Sequence, residues 1–525
     1  MAVGLTISTA KHLFPPKIPN HNSNLLFPQL KKLQCLSQLT SCSSLTNLLK
    51  IHAQIIVSGL LFDPQITEKF IHFFALHPSI SSFNYTSSFI TRYTNSLPNP
   101  WNNIIRECAT GENNSPRDCI LVFLAMRRSN TKPDHMTYPY LFKACSTLSS
   151  FREGRQIHAD VLKHGLDCDV YVLNNLIHFH GSCGEMGFAC QLFDEMVERT
   201  VVSWNSIISA CVENSLFSDG IEYFRRMRDL GYECDETTMV IMLSGCAEIG
   251  NLSLGKWIHT QVIGRGLVVN CRLGTALVDM YAKCGAVDLS RSVFDRLFER
   301  NVWTWSAMVL GLAQHGFATE ALEMFSVMKK STVKPNYVTY LGVLCACSHA
   351  GLVESAYQFF HDMRNLHGIK PMLVHFGAMV DVLGRAARLK EAYDFILNMP
   401  LKPDPTVWRT LLSACYINDP NDHDGIGEKV KRKLLALEPT RSGNLVMIAN
   451  KYAEVGMWDK ATHMRNRMRK GGLKKMAGES CIEVGGSMYK FFSGDDLQVH
   501  YEHIFSVLDR LNFHMKMVTL DCIVS

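Results

Sequence analysis

Acidic residues are missing from the start of this chain until Asp63, and arginine until Arg92. Ser, Thr, Asn and Lys are scattered through the opening 45 residues instead. Such a start reads as an organelle transit peptide over 1–28, the missing arginine leaning toward a plastid over a mitochondrion. A disordered cytosolic leader is the alternative. Also missing is any Cys-x-x-Cys, although there are 18 cysteines, so spacing offers no zinc site. No run approaches the 20 apolar residues of a membrane span, and the best candidate, Ile51–Phe62, is too short. Neither a membrane nor a metal is therefore expected.

Charge is scarce overall. A net +5 over 525 residues excludes little by itself, and 47% hydrophobic with 19% charged residues is an ordinary folded composition. The placement is uneven, however. Between Glu428 and Lys475, 13 Lys/Arg face 4 Asp/Glu, a local +9. Such a run is either a solvated helix face or a dock for phosphates or an acidic partner.

A chain of this length needs several cores or a repeat array, and a fixed period is present. Asp134, Asp235 and Asn336 are each 101 residues apart, and the same step carries His158 to His259, Trp204 to Trp305 and Gly250 to Gly351. Each 101 divides into units of 35, 35 and 31 residues. Within Val201–Asp235, Trp204, Ile207, Ile208 and Cys211 fall on one helical face. Glu213-Asn214-Ser215 makes a turn, Phe217, Ile221 and Phe224 resume the helical spacing, and Gly231 sits where a helix would stop. Two short helices cannot bury both apolar faces alone, but stacked neighbours can. The expected fold is all-α, a right-handed α-solenoid of helix–turn–helix repeats.

Two patterns look like chemistry and are not. Gly250-x4-Gly255-Lys256 has the glycines and lysine of a phosphate loop, but Trp257 stands where Ser/Thr is needed. Cys108, Cys145, Cys211, Cys246, Cys347 and Cys415 all occupy the eleventh position of their units, which marks them as packing residues. No catalytic residue and no cofactor is expected.

The alternating unit lengths, with Val201-Val202-Ser203-Trp204-Asn205, Val302-Trp303-Thr304-Trp305-Ser306 and the S-like Gly274–Gly285 stretch, resemble the PLS class of pentatricopeptide repeat proteins. Tetratricopeptide-type repeats lack that alternation. On this resemblance nine units run 98–134, 135–169, 170–200, 201–235, 236–270, 271–301, 302–336, 337–372 and 373–404, after degenerate repeats over 29–97. Trp408–Cys415, Leu437-Glu438-Pro439 and Ser442-Gly443-Asn444 look like the E1 and E2 motifs over 405–475. Cys481-Ile482-Glu483-Val484 with Phe491–Asp495 resembles the start of an E+ region within 476–525, with Cys481 where a Trp usually stands.

The resemblance implies one RNA base per unit, read by its fifth and last residues. Asn102 with Asp134 and Asn205 with Asp235 then imply uridine. Thr275 with Asn301, and more weakly Ser306 with Asn336, imply adenine, and Asn174 with Thr200 a pyrimidine. The fifth residues Pro139, Val240, Leu341 and Gly377 are mute. The expected element is U-n-Y-U-n-A-A, read 5′ to 3′. Asn and Asp also favour helix caps; only their recurrence at one phase argues for base contact.

Relatives often end in a zinc deaminase, which needs His-x-Glu and a later Pro-Cys-x-x-Cys. Here His500-Tyr501-Glu502 is followed by Cys522 alone. The resemblance therefore implies a non-enzymatic site-recognition factor for organellar C-to-U RNA editing. It would bind single-stranded RNA, not DNA, and recruit a deaminase-bearing partner in trans through residues 405–525. RNA stabilisation, splicing or translation, or a protein-interaction scaffold, are the alternatives.

Overall fold

The computed structural model describes residues 32–39, 45–60, 63, 99–110, 116–128, 130–475, 478–484, 487–492, 507 and 510. The expected leader, most of 64–97, and His500, Glu502 and Cys522 lie outside them. The chain forms two compact units, residues 1–233 and 234–525.

In the first unit the helices come in antiparallel pairs: Asn99–Thr110 with Pro116–Arg128, Tyr138–Leu148 with Phe151–Lys163, Val170–Ser182 with Met186–Glu195, and Val201–Glu213 with Phe217–Asp229. The second unit continues the scheme from Glu236–Ile249 and Leu252–Gly264 through to Ser442–Glu454 and Trp458–Lys470. Within each unit the first helix of a pair packs on the first helix of the next, which is the connectivity of an α-solenoid. Among the described residues no helix is long and apolar enough to cross a membrane.

The Val201 pair shows why these residues fold this way. The Thr200 hydroxyl accepts the Ser203 N–H at 3.3 Å and the Ser203 hydroxyl accepts the Thr200 N–H at 3.1 Å, a reciprocal cap. Ser215, at φ 60°, turns the chain, and Gly231, at φ 80°, ends the second helix where a left-handed residue is required. Ile207, Ile208 and Cys211 are fully buried, and Trp204 meets the Phe193 ring edge-on at 4.7 Å. Cys108, Cys145, Cys211, Cys246, Cys347 and Cys415 are all buried. Burial pushes the Cys211 and Cys415 thiols up to about 12, so they act as small apolar side chains.

First helices approach closely through small residues. A Cβ on Gly181 would lie 2.5 Å from the Ala210 Cβ, and one on Gly384 only 2.6 Å from that of Ala414. A polar staple crosses the same contact. Asn214 Nδ2 donates to the Gly181 carbonyl at 2.8 Å and Asn418 Nδ2 to the Gly384 carbonyl at 2.9 Å, while a His315 ring nitrogen meets the Ala282 carbonyl at 2.7 Å. The staple adds a second donor to a carbonyl that already accepts a turn N–H, Gly181 from Gly184 at 2.9 Å, Gly384 from Ala387 at 3.1 Å and Ala282 from Gly285 at 3.0 Å. Asn214→Ala is expected to cost about 0.5–1.5 kcal/mol by removing its hydrogen bond to the neighbouring helix, seen as a lower melting temperature.

Among the described residues the helical architecture has one addition. Strands Glu479–Val484 and Ser487–Phe492 pair antiparallel, with Cys481 opposite Lys490. This hairpin occupies the segment whose sequence resembles the start of an E+ region.

Candidate nucleic-acid interface

Most units end on a residue that caps the first helix of the next; Met372 makes no side-chain cap, and Asp134 holds the turn that leads into Tyr138–Leu148. Asp134 Oδ1 accepts the N–H groups of Met136 at 2.9 Å and Thr137 at 3.1 Å. Thr200 caps Val201–Glu213, Asp235 caps Glu236–Ile249, Asn301 caps Val302–Gln314 and Asn336 caps Tyr337–Ala350. Asp169, Asn270 and Asp404 do the same for their helices. Capping thus fixes the backbone at the start of each unit and sets the position of that last side chain.

The fifth residue of a unit, one turn into its own first helix, leans against the residue that ends the same unit about 30 positions later. Asn102 Nδ2 donates to Asp134 Oδ1 at 2.9 Å. The Ser306 hydroxyl donates to Asn336 Oδ1 at 3.0 Å. Thr275 reaches Asn301 through a relay: its hydroxyl lies 2.6 Å from that of Thr304, which donates to Asn301 Oδ1 at 3.0 Å. Asn174 departs from the pattern, with its buried Oδ1 lacking a hydrogen bond. Asn205 belongs to the first unit and is buried, whereas Asp235 belongs to the second and is exposed. Asp235 Oδ1 accepts both the N–H and the hydroxyl of Thr238 at 2.8 Å.

An open row of fifth residues is not what the structure presents. Asn102 and Asn205 are 7% exposed, Asn174 6% and Ser306 1%. Of these five polar fifth residues only Thr275 is half-exposed. The reason is local: the fifth side chain fills the gap between two successive first helices, behind the cap. Thr200, Asp235 and Asn301 are exposed, and Asp134 and Asn336 half-buried. The cap residue is therefore the more accessible member, and the fifth residue is a second layer that orients it. Asn336 Nδ2 is a buried donor without a partner, an amide not fully used by the fold.

A third member was not read from the sequence. Thr137, Ser203, Thr238, Thr304 and Thr339 are wholly buried and bond to the cap. The Thr137 hydroxyl also donates to Asn102 Oδ1 at 2.7 Å, and the Ser306 hydroxyl lies 2.7 Å from that of Thr339. The signal was available, because Thr137, Thr238 and Thr339 follow the same 101-residue step. At the neighbouring position of the first helix, apolar side chains are exposed: Met136, Tyr171 and Val202 in the first unit, Trp303 and Val374 in the second. Several units thus offer a polar cap beside an exposed apolar group, whereas Thr237 and Arg272 hold the apolar position in two others.

Comparison with known proteins places these features. Family models for pentatricopeptide repeats match residues 156–214, 199–248, 275–302, 303–333 and 338–367, and the E motif model matches 421–483. A pentatricopeptide repeat-containing protein of Arabidopsis thaliana is 51% identical over 486 residues, covering 92% of this chain and 96% of the relative. A second from the same plant, named as chloroplastic/mitochondrial, is 33% identical over 531 residues, 99% of this chain and 82% of that one. Among solved structures, the pentatricopeptide repeat protein PPR10 in complex with an 18-nt psaJ RNA element superposes with a TM-score of 0.60 at 15% identity. That match covers 80% of this chain and spans 63% of the other, and at this identity it shows the fold alone.

Proposed function

This chain belongs to the pentatricopeptide repeat family and carries an E motif, and from that premise we propose that it is a sequence-specific binder of single-stranded RNA that marks sites for organellar C-to-U editing. The observation that carries the reading is the recurrent coupling of a unit's fifth residue to the cap that ends it, at Asn102–Asp134, Thr275–Thr304–Asn301 and Ser306–Asn336.

The donor and acceptor inventory explains how such pairs select a base. Asp134 spends Oδ1 on the fold, and Oδ2 is left to accept. A carboxylate can only accept, so it favours a base whose central Watson–Crick atom is a donor, as N3–H is in uracil. An asparagine cap has N–H groups as well as an acceptor oxygen, and so favours a central acceptor such as N1 of adenine. The exposed Met136, Tyr171, Val202 and Trp303 supply flat or apolar surface against base faces. Asn174, Thr200, Asn205, Asp235 and Thr275 complete the reading set by phase.

Relatives named as chloroplastic or mitochondrial support an organelle as the site of action. The E motif over 421–483 supports recruitment of a deaminase-bearing partner in trans. Editing is tested by sequencing organellar transcripts with and without the gene. A cytidine that stays unconverted in its absence, downstream of a U-n-Y-U-n-A-A element, is the expected outcome. Transcripts edited normally but shortened, unspliced or untranslated would sink the editing role and leave RNA binding standing.

A further inference from the structure

Helix Trp458–Lys470 departs from Ala318–Lys330 and Val353–Asn365 on the face that those two use for stacking. Preceding second helices align with it by their starting turn. Where Ala318–Lys330 and Val353–Asn365 place Phe325 and Phe360, this helix has Arg465. Where they bury Ala318 and Val353, it has Trp458, 65% exposed. Phe325 meets the Tyr340 ring at 5.6 Å and Phe360 meets Phe376 at 5.3 Å, each on the first helix of the following pair. In Trp458–Lys470 the inward side is kept, since Ala461 is buried as Ala321 and Ala356 are. The outward side becomes Trp458, Thr462, Arg465 and Arg469, at i, i+4, i+7 and i+11, all exposed on one stripe.

A terminal repeat needs a polar outer face to stay soluble, but solubility asks for neither cations alone nor a bared tryptophan. From Trp458 to Lys475, 7 Lys/Arg face one acid, Asp459. Among the described residues neither Arg465 nor Arg469 has an ion-pair partner, whereas Lys431, Arg432, Arg441 and Lys451 nearer the array pair with Glu428, Glu438 or Glu454. Unneutralised arginines spaced along one stripe attract phosphates, and an exposed indole among them offers a stacking surface for a base.

We propose that this stripe is a sequence-independent dock for single-stranded RNA leaving the carboxy-terminal end of the array, gripping the backbone through Arg465 and Arg469 and a base through Trp458. It rests on the chain being an RNA binder and adds a second, non-reading site on its 3′ side. An acidic protein would answer the charge as well, but it would leave the tryptophan unexplained, and nucleic acid uses both.

The test uses the full chain and three synthetic RNAs: U-n-Y-U-n-A-A with mixed bases at n and no tail, the same with a 3′ tail of about ten cytidines, and the same with that tail at the 5′ end. Fluorescence anisotropy across a salt series reads affinity and its salt slope. The 3′ tail is expected to tighten binding about tenfold, and the 5′ tail to do little. Trp458→Ala with Arg465→Glu and Arg469→Glu should abolish that gain and flatten the slope by about 0.7 per lost phosphate contact, while the tailless RNA binds as before. If that variant melts early by circular dichroism, Arg465→Gln with Arg469→Gln carries the test. A 3′ tail without effect, equal gains from both tails, or a gain that survives the substitutions overturns the dock. So does a variant that binds tailed RNA normally yet loses self-association or editing, which assigns the face to a second copy or to an acidic partner. Failure of base reading shows separately, as tailless RNA bound without sequence preference.

Discussion

Exchanging Asn102 for Thr together with Asp134 for Asn is expected to move the preferred base at that unit from uridine to adenine, by about 1–3 kcal/mol in relative affinity, on the scale of other bidentate base contacts. The pair to be copied exists in the same chain, at Thr275 and Asn301. Asp134 Oδ1 accepts from Asn102 and from the N–H groups of Met136 and Thr137, so replacing the carboxylate by an amide keeps the acceptor that holds the turn before the helix. What changes is the outward atom, from an acceptor to an N–H. The fold is expected to tolerate the exchange because Asn301 caps its own helix in the same way.

The two single substitutions should not add up to the double. Asn102 is 7% exposed and donates directly to Asp134. Changing it alone therefore moves the cap as well as the base contact, and coupled residues depart from additivity by about 0.5–3 kcal/mol. Competitive binding of element RNAs that differ only at this base gives the measurement. A preference for uridine that persists in the double variant, with an unaltered melt, would show that the pair does not read.

The helical period, the turn residues and the phase of the polar pairs were all legible in the sequence, because each is a one-dimensional pattern. Trp204, Ile207, Ile208 and Cys211 declare a buried face, and they are buried. Asp134, Asp235 and Asn336 declare a phase; Asp235 and Asn336 cap helices, and Asp134 holds the turn that leads into one. Depth was not legible. Nothing in the spacing of Asn102, Asn174, Asn205 and Ser306 says that they sit behind the caps, since that depends on how closely successive first helices approach. The approach is set by pairs such as Gly181 with Ala210 and Gly384 with Ala414, contacts between residues about 30 apart in sequence. The buried Thr137, Thr238 and Thr339 were missed for a related reason. A hydroxyl in an apolar run reads as a tolerated core residue until its partner is seen. The hairpin over 479–492 carries too few residues to show an alternation strong enough to outweigh its helical surroundings.

One such depth effect makes a second prediction. His180 is 2% exposed, both ring nitrogens lack a hydrogen bond, and Phe179, Phe188 and His158 crowd it at 5.1, 5.4 and 5.7 Å. Burial first, then the charges of His158 and Arg155, push its pKa down to about 4. One period later the equivalent pair is His259 and Tyr281, joined by a 2.9 Å hydrogen bond. A histidine held neutral in the fold and free to protonate when unfolded, near pH 6.5, favours unfolding as pH falls. Its neutral form is fully compatible with the fold above about 6.5, and stability is lost progressively between 6.5 and about 4. At pH 5 that loss is about 2 kcal/mol relative to pH 8. His180→Tyr should remove the titration and supply His158 with the partner that His259 already has, ending two unpaired buried atoms worth about 1–3 kcal/mol each. The variant is expected to melt higher than the native chain at pH 8 and higher still at pH 5. His180→Phe, without the hydroxyl, should share the flattened pH dependence but not the whole gain. Native and variant melting temperatures that fall in parallel from pH 8 to pH 5 would mean that His180 takes up its proton as readily in the fold as in the unfolded chain, and that its burial does not control its charge.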